Sequence, residues 1–141
     1  MNYLLDTCVI SELVKTMPDL RVEKWIRSQD EENLFLSVIT IGEIQKGISK
    51  LPKDRRKKPK LQNWLTNELR ERFRDRILEI TLETALVWGQ ILGTCEKNGV
   101  TLPAIDSLIA SQGIFHKMTI VTRNISDMEP SGVSLFNPWS I

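Results

Sequence analysis

Short apolar runs of strand length alternate with helix-periodic stretches along the whole chain, and this alternation constrains the fold more than any other feature. The runs are YLL at 3–5, LFLSVI at 34–39, ILEI at 77–80, MTIVT at 118–122 and VSLFN at 133–137, with the length and residue types of strands. Between them, Ile10, Leu13, Val14 and Met17 fall at helical spacing, and Leu20, Trp25 and Ile26 suit a second helix ending near DEEN at 30–33. Thr40 opens a third, whose buried stripe is Ile41, Ile44, Ile48 and Leu51 and which Pro52 stops. After Pro59, the residues Leu61, Trp64, Leu65, Leu69 and Phe73 make another amphipathic helix. Leu82, Ala85, Leu86, Trp88, Gly89, Leu92 and Cys95 line a long helix that ends near Gly99, and a last one starts at Pro103 and buries Ile105, Leu108, Ile109 and Phe115. Apolar strands joined through such helices pack as a central, mostly parallel β-sheet flanked by α-helices on both faces. The expected class is therefore α/β, with function at the carboxyl ends of the strands.

At 141 residues the chain reads as one domain, 1–141, large enough to bury roughly 68–70% of its unfolded surface without a disulfide or structural metal. Cys8 and Cys95 sit in apolar surroundings without C-x-x-C spacing and read as core residues. The single histidine, His116, reads as a helix-end residue, so zinc-knuckle, thiol-redox and Ser-His-Asp chemistry are all excluded. With no apolar run near the roughly 18–20 residues of a membrane span and no secretory h-region, the expectation is a cytoplasmic protein with no membrane partner.

A net charge of +1 conceals an uneven distribution. Residues 50–76 carry eleven basic side chains against four acids, a local excess of +7, and the rest of the chain sums to −6. This segment reads as a basic helical hairpin at about 50–76, either a solvated surface or a face that attracts phosphate. Arg55, Arg56, Lys57 and Lys58 in its charged loop are candidates for RNA contact.

Catalysis, if any, falls to carboxylates. Asp6 follows the first strand, Glu43 lies in the first turn after the second, Asp106 stands at a helix start and Asp127 just past TIVT. Each has an ordinary explanation: Asp6 as an N-cap, Thr40 to Glu43 as a capping box, Asp106 as a helix-dipole partner, Asp127 as a turn residue. Together they are harder to explain, because two carboxylates about 4 Å apart repel by about 4 kcal/mol at an effective dielectric near 20. A divalent ion resolves that conflict, and an all-oxygen donor set selects a hard ion such as Mg²⁺ (or Mn²⁺) over Zn²⁺. Acid-only sites of this kind suit phosphodiester hydrolysis.

YLLDTCVISEL at 3–13, SVITIGEIQKGI at 37–48, LPAIDSLIA at 102–110 and TIVTRNISDM at 119–128, with LFNPW at 135–139, resemble in order and spacing the motifs of PIN-domain proteins, more narrowly the VapC-type toxins that include the FitB-like group. The resemblance implies the PIN fold, a three-layer α/β/α arrangement. It implies a metal-dependent endoribonuclease in which Asp6, Glu43, Asp106 and Asp127 hold Mg²⁺ or Mn²⁺, with Thr7, Thr122 and Asn124 as supporting polar residues. It also implies a homodimer, a cognate antitoxin protein that masks the site, and a toxin–antitoxin complex on operator DNA. Cys8 stands where many members have Asn or Ser. Lys46 and Arg123 are further candidates for RNA contact, and Glu12 reads as a surface or dimer-edge residue. Two alternatives remain at this point: a PIN-like regulatory module that forms a DNA-binding complex with its antitoxin and has weak or no nuclease activity, and a phosphotransfer enzyme, for which DTCV lacks a second Asp two positions on.

Overall fold

The computed structural model describes residues 1–54 and 56–141; Arg55 lies outside the described residues. In chain order the elements are β1 (Tyr3–Leu5), α1 (Thr7–Leu13), α2 (Leu20–Ser28), β2 (Leu34–Ser37), α3 (Val38–Ser49) and α4 (Lys57–Asn63). The last continues through a π-helical stretch, Trp64–Leu69, into α5 (Arg70–Arg72). β3 (Ile77–Leu78), α6 (Leu82–Lys97), α7 (Ala104–His116), β4 (Thr119–Val121), α8 (Ile125–Met128) and β5 (Leu135–Phe136) follow. The five strands form one sheet in the order β3-β2-β1-β4-β5, with every neighbouring pair parallel.

Strand alternation divides the core in two. Leu5, Leu34, Leu36 and Val121 face a cluster with Val9, Ile10 and Phe73 from the helices between β1 and β3, whereas Leu4 and Ile120 face Ile109, Ala110 and Met128 of α7 and α8. The chain builds from β1 toward β3, then crosses over to place β4 on the other side of β1. The β1/β4 boundary is thus the switch point at which parallel sheets open a crevice beyond their strand ends. Registers Leu5↔Val121 and Leu4↔Phe35 bring the carboxyl ends of β1, β2 and β4 to the same edge.

Several elements depart from the sequence expectation. β2 stops at Ser37, whose hydroxyl accepts from Ile39 N at 3.0 Å and caps α3. Thr40 is therefore inside the helix, and the Thr40–Glu43 capping box does not form. α4 begins at Lys57 instead of after Pro59, because an amide in the first helical turn has no intrahelical acceptor and proline is tolerated there. The long helix α6 packs on α7 as an outer element, so Leu82 and Leu86 are 73% and 60% exposed instead of lining a core, and Ile105 and Phe115 of α7 are exposed as well. Gln45 of α3 and Gln62 of α4 exchange hydrogen bonds at 2.8 Å, pairing the two helices. Not all of the basic segment faces solvent: Arg72 pairs with Glu31, and Arg76 donates to the carbonyls of Glu31, Leu34 and Arg72.

α7 lies so close to the sheet that a Cβ on Gly113 would stand 2.6 Å from Ile120 Cδ1 and 2.9 Å from Val133 Cγ2. Both neighbours are buried and have little room to yield. Gly113→Ala is expected to destabilise the protein by about 1–3 kcal/mol through overpacking, read as a lower denaturation midpoint at an unchanged m-value.

Candidate active site

Asp6 leaves β1 at the switch point and caps α1, its Oδ1 accepting from Thr7 N at 2.8 Å. Its other oxygen accepts from Thr122 Oγ1 at 2.7 Å, just past β4, and from Cys8 Sγ at 3.7 Å. The carboxyl is almost fully buried, and burial pushes its pKa up against the opposing pull of the bonds from Thr122, Thr7 and Cys8. Thr7 carries the connection to the next strand: its hydroxyl donates to Glu43 Oε1 at 2.6 Å, and the buried Thr40 hydroxyl lies 3.1 Å from that of Thr7. The helical position of Thr40, one turn before Glu43, therefore serves the site instead of a cap.

Asp106 sits in the first turn of α7, anchored on one side by Trp88 Nε1, which donates to Ser107 Oγ at 2.9 Å. Its carboxyl is pushed up to about 6, first by burial and then by the charges of Asp6, Asp127 and Glu43. Asp127, exposed in α8, completes the group. Four carboxylates from four separate stretches thus share one electrostatic neighbourhood. They do not close into a cage: among the described residues, no three Asp, Glu, His or Cys side chains stand close enough to hold one ion between them. Hydrogen bonds explain part of this, since both oxygens of Asp6 and Oε1 of Glu43 are engaged by hydroxyl or amide donors, and repulsion keeps the carboxylates spread.

The remaining candidates fall into distinct places. Asn124 contributes its backbone amide, which donates to Thr122 Oγ1 at 2.9 Å and so aligns the hydroxyl that holds Asp6. Lys46 and Arg56 are exposed, and Lys58 donates to Leu51 O at 3.2 Å. Lys57 lines an apolar groove of about 280 Å³ together with Thr7, Glu43, Ile44, Leu61 and Trp64, so the start of the basic helix shares a groove with one of the four acids. Arg123 lies over the Trp139 ring, its guanidinium carbon 4.2 Å from the centroid.

Cys8 packs its half-buried side chain against the core, as expected, and its thiol also touches Asp6 and accepts from Arg123 N at 3.5 Å, while burial and then the Asp6 charge raise its pKa. Glu12 does not stand out on the surface of the chain: it is 5% exposed and accepts from Lys15 Nζ and Asp19 N, both at 2.9 Å. The nearby Pro18-Asp19 turn, which must fold back on α1, was the available signal. His116 is the last residue of α7, at the helix end as expected, half-buried against Phe115, and burial lowers its pKa.

A raised carboxyl pKa has a thermodynamic consequence. The ordinary value for Asp106 is 3.8 and its folded value is about 6, so between these the folded protein binds more protons than the unfolded chain, and stability falls as pH rises through that window. Asp106→Asn is expected to stabilise the metal-free protein at pH 7.5 by about 1–2 kcal/mol, allowing for solvent screening. That gain should shrink below pH 6 and vanish near pH 4, as measured by denaturant titration across pH.

The chain and its fold are similar to proteins of known kind. The chain is 33% identical over 136 residues to the VapC ribonuclease Y4jK of Sinorhizobium fredii, spanning 96% of both chains. It is 34% identical over 136 residues to toxin FitB of Neisseria gonorrhoeae, spanning 96% of this chain and 97% of that one. It superposes on a chain of the solved structure of FitAB bound to an IR36 DNA fragment with a TM-score of 0.92 at 33% identity, covering 99% of this chain and 96% of the other. Residues 3–126 match the family model described as PIN domain, and the chain belongs to the PIN-domain family.

Proposed function

We propose that this protein is a metal-dependent endoribonuclease and the toxin of a toxin–antitoxin pair. The observation that carries the reading is the electrostatic coupling of Asp6, Glu43, Asp106 and Asp127 at the sheet's switch point. The relatives named as ribonuclease and toxin support it, as does the FitAB assembly on DNA, which supports a cognate antitoxin and operator DNA as partners. The cytoplasm, where an RNA substrate is found, is the proposed place of action. Among the described residues no helix is long and apolar enough to cross a membrane.

The residues fit a hard divalent cation. Their donors are carboxylates flanked by hydroxyls, they carry more negative charge than they can neutralise among themselves, and an open arrangement suits Mg²⁺ or Mn²⁺, which keeps part of its water shell. Because no three of these side chains close on one point among the described residues, Asp6, Glu43 and Asp106 would hold it partly through its bound waters, with Asp127 supporting. Bound there, the ion acidifies a water and offsets charge on the phosphate. The chain's own residues supply orientation: Thr122 fixes Oδ2 of Asp6, Thr7 ties Asp6 to Glu43, and the Asn124 amide fixes Thr122. Asp127, outermost of the four, orients the attacking water. Water oxygen bonds to phosphorus as the P–O3′ bond breaks, leaving a 3′-hydroxyl and a 5′-phosphate.

Purified protein with Mg²⁺ or Mn²⁺ is expected to cut RNA, and Asp6→Asn or Asp106→Asn to reduce cutting by at least about 10³-fold with the fold retained. Cutting that survives EDTA or both substitutions would refute the site, and a well-folded protein that binds antitoxin and operator DNA but cuts nothing would be a regulatory module. Neutralising Arg55, Arg56, Lys57 and Lys58 is expected to weaken RNA binding and lower the slope of log K against log salt by about 0.7 for each phosphate no longer neutralised.

A further inference from the structure

On the α1 side of the acids, a buried carboxylate and a buried indole hold one arginine between them. Glu12 Oε1 accepts from Lys15 Nζ and Oε2 from Asp19 N, both at 2.9 Å, and Arg123 Nη2 lies 3.7 Å from Oε1. Lys15 already offsets the charge of Glu12, so the charge of Arg123 is in surplus. Its guanidinium rests on the face of Trp139 yet remains 54% exposed. Trp139 is buried, and its Nε1 has no hydrogen-bond partner among the described residues, so the ring is retained for its face and not for its donor.

The backbone shows how close this arginine is to the chemistry. Arg123 N donates to Cys8 Sγ, which touches Asp6, and the preceding residue, Thr122, donates directly to Asp6 Oδ2. A long cationic side chain rooted here has the acids within reach and, if released, would pair with them and oppose a metal ion. Instead it is turned toward Glu12 and Trp139 with one side facing solvent.

We propose that Glu12 and Trp139 are positioning residues that hold Arg123 at the rim of the acid cluster, out of ion pairs with the acids and open to an RNA phosphate beside the one being cut. The inference rests on the nuclease reading for its substrate, and on geometry alone for the holding of the arginine.

The test is a double-mutant cycle on Glu12 and Arg123 with two readouts: kcat and KM on a short RNA, and Mn²⁺ affinity by EPR titration without RNA. Arg123→Ala is expected to raise KM about tenfold with little change in kcat, as one charge-assisted hydrogen bond to phosphate is removed, and to leave Mn²⁺ affinity unchanged. Glu12→Gln is expected to raise KM and to weaken Mn²⁺ binding several-fold as the freed guanidinium turns to the acids. The double variant should have the KM of Arg123→Ala alone and recover wild-type Mn²⁺ affinity, a coupling that a merely structural Glu12 would not produce. Trp139→Leu should behave as Glu12→Gln, with Trp139→Phe close to wild type, and it supplies the same cycle if Glu12→Gln does not fold. Additive effects on KM, Mn²⁺ affinity that Arg123→Ala fails to restore, or an unchanged KM in Arg123→Ala would overturn the proposal. A wild-type protein that cuts no RNA would defeat the nuclease reading, and the Mn²⁺ cycle would still decide whether Glu12 and Trp139 hold the arginine.

Discussion

Burial of carboxyl groups, and then their mutual repulsion, at the carboxyl edge of the sheet is the constraint that the rest of the site answers. Asp106 shows it most clearly, held near 6 by burial and by the charges of Asp6, Asp127 and Glu43. A fold that gathers these groups gives up stability to do so, and the surrounding hydrogen bonds limit the loss. Thr122, Thr7 and Cys8 donate to Asp6, and Thr7 also donates to Glu43, so two of the four acids are fixed by donors that are themselves fixed. Destabilisation concentrated at a site and compensated around it is the usual sign of a place built for chemistry.

The sheet makes this gathering possible. Parallel strands bring their carboxyl ends to one edge, and the reversal of direction at β1 leaves Asp6 and Thr122 facing each other across the opening. α3 starts directly after Ser37, which brings Thr40 and Glu43 into the same opening, and the Trp88–Ser107 bond steadies the turn that carries Asp106. The basic helix α4 borders the opening through Lys57, which lines one groove with Thr7 and Glu43.

The strands and the order of the acids were legible in the sequence because both depend on local pattern: apolar runs of strand length, with Asp6, Glu43 and Asp127 shortly after three of them and Asp106 just inside a helix that Pro103 announces. What escaped was decided by tertiary contacts. Thr40 looks like a capping residue until Ser37 takes that place, three residues earlier than the apolar run suggested. Glu12 lies opposite an apolar stripe and reads as exposed, yet the turn at Pro18-Asp19 brings an amide back onto it. Leu82 and Leu86 read as core because periodicity marks an apolar face without saying whether anything covers it. Cys8 reads as core from its neighbours in sequence and packs against the core, but its thiol also reaches Asp6 and Thr122, which no sequence pattern shows.

The most direct test of this account is the titration of the Asp106 carboxyl, followed by carbon-13 NMR in the presence and absence of Mg²⁺. Without metal its pKa should lie near 6, well above the ordinary 3.8, and saturating Mg²⁺ should drive it below the ordinary value as the ion replaces repulsion with attraction. A metal-free value close to 3.8 that Mg²⁺ leaves unmoved would mean that the acids neither oppose one another nor share a cation.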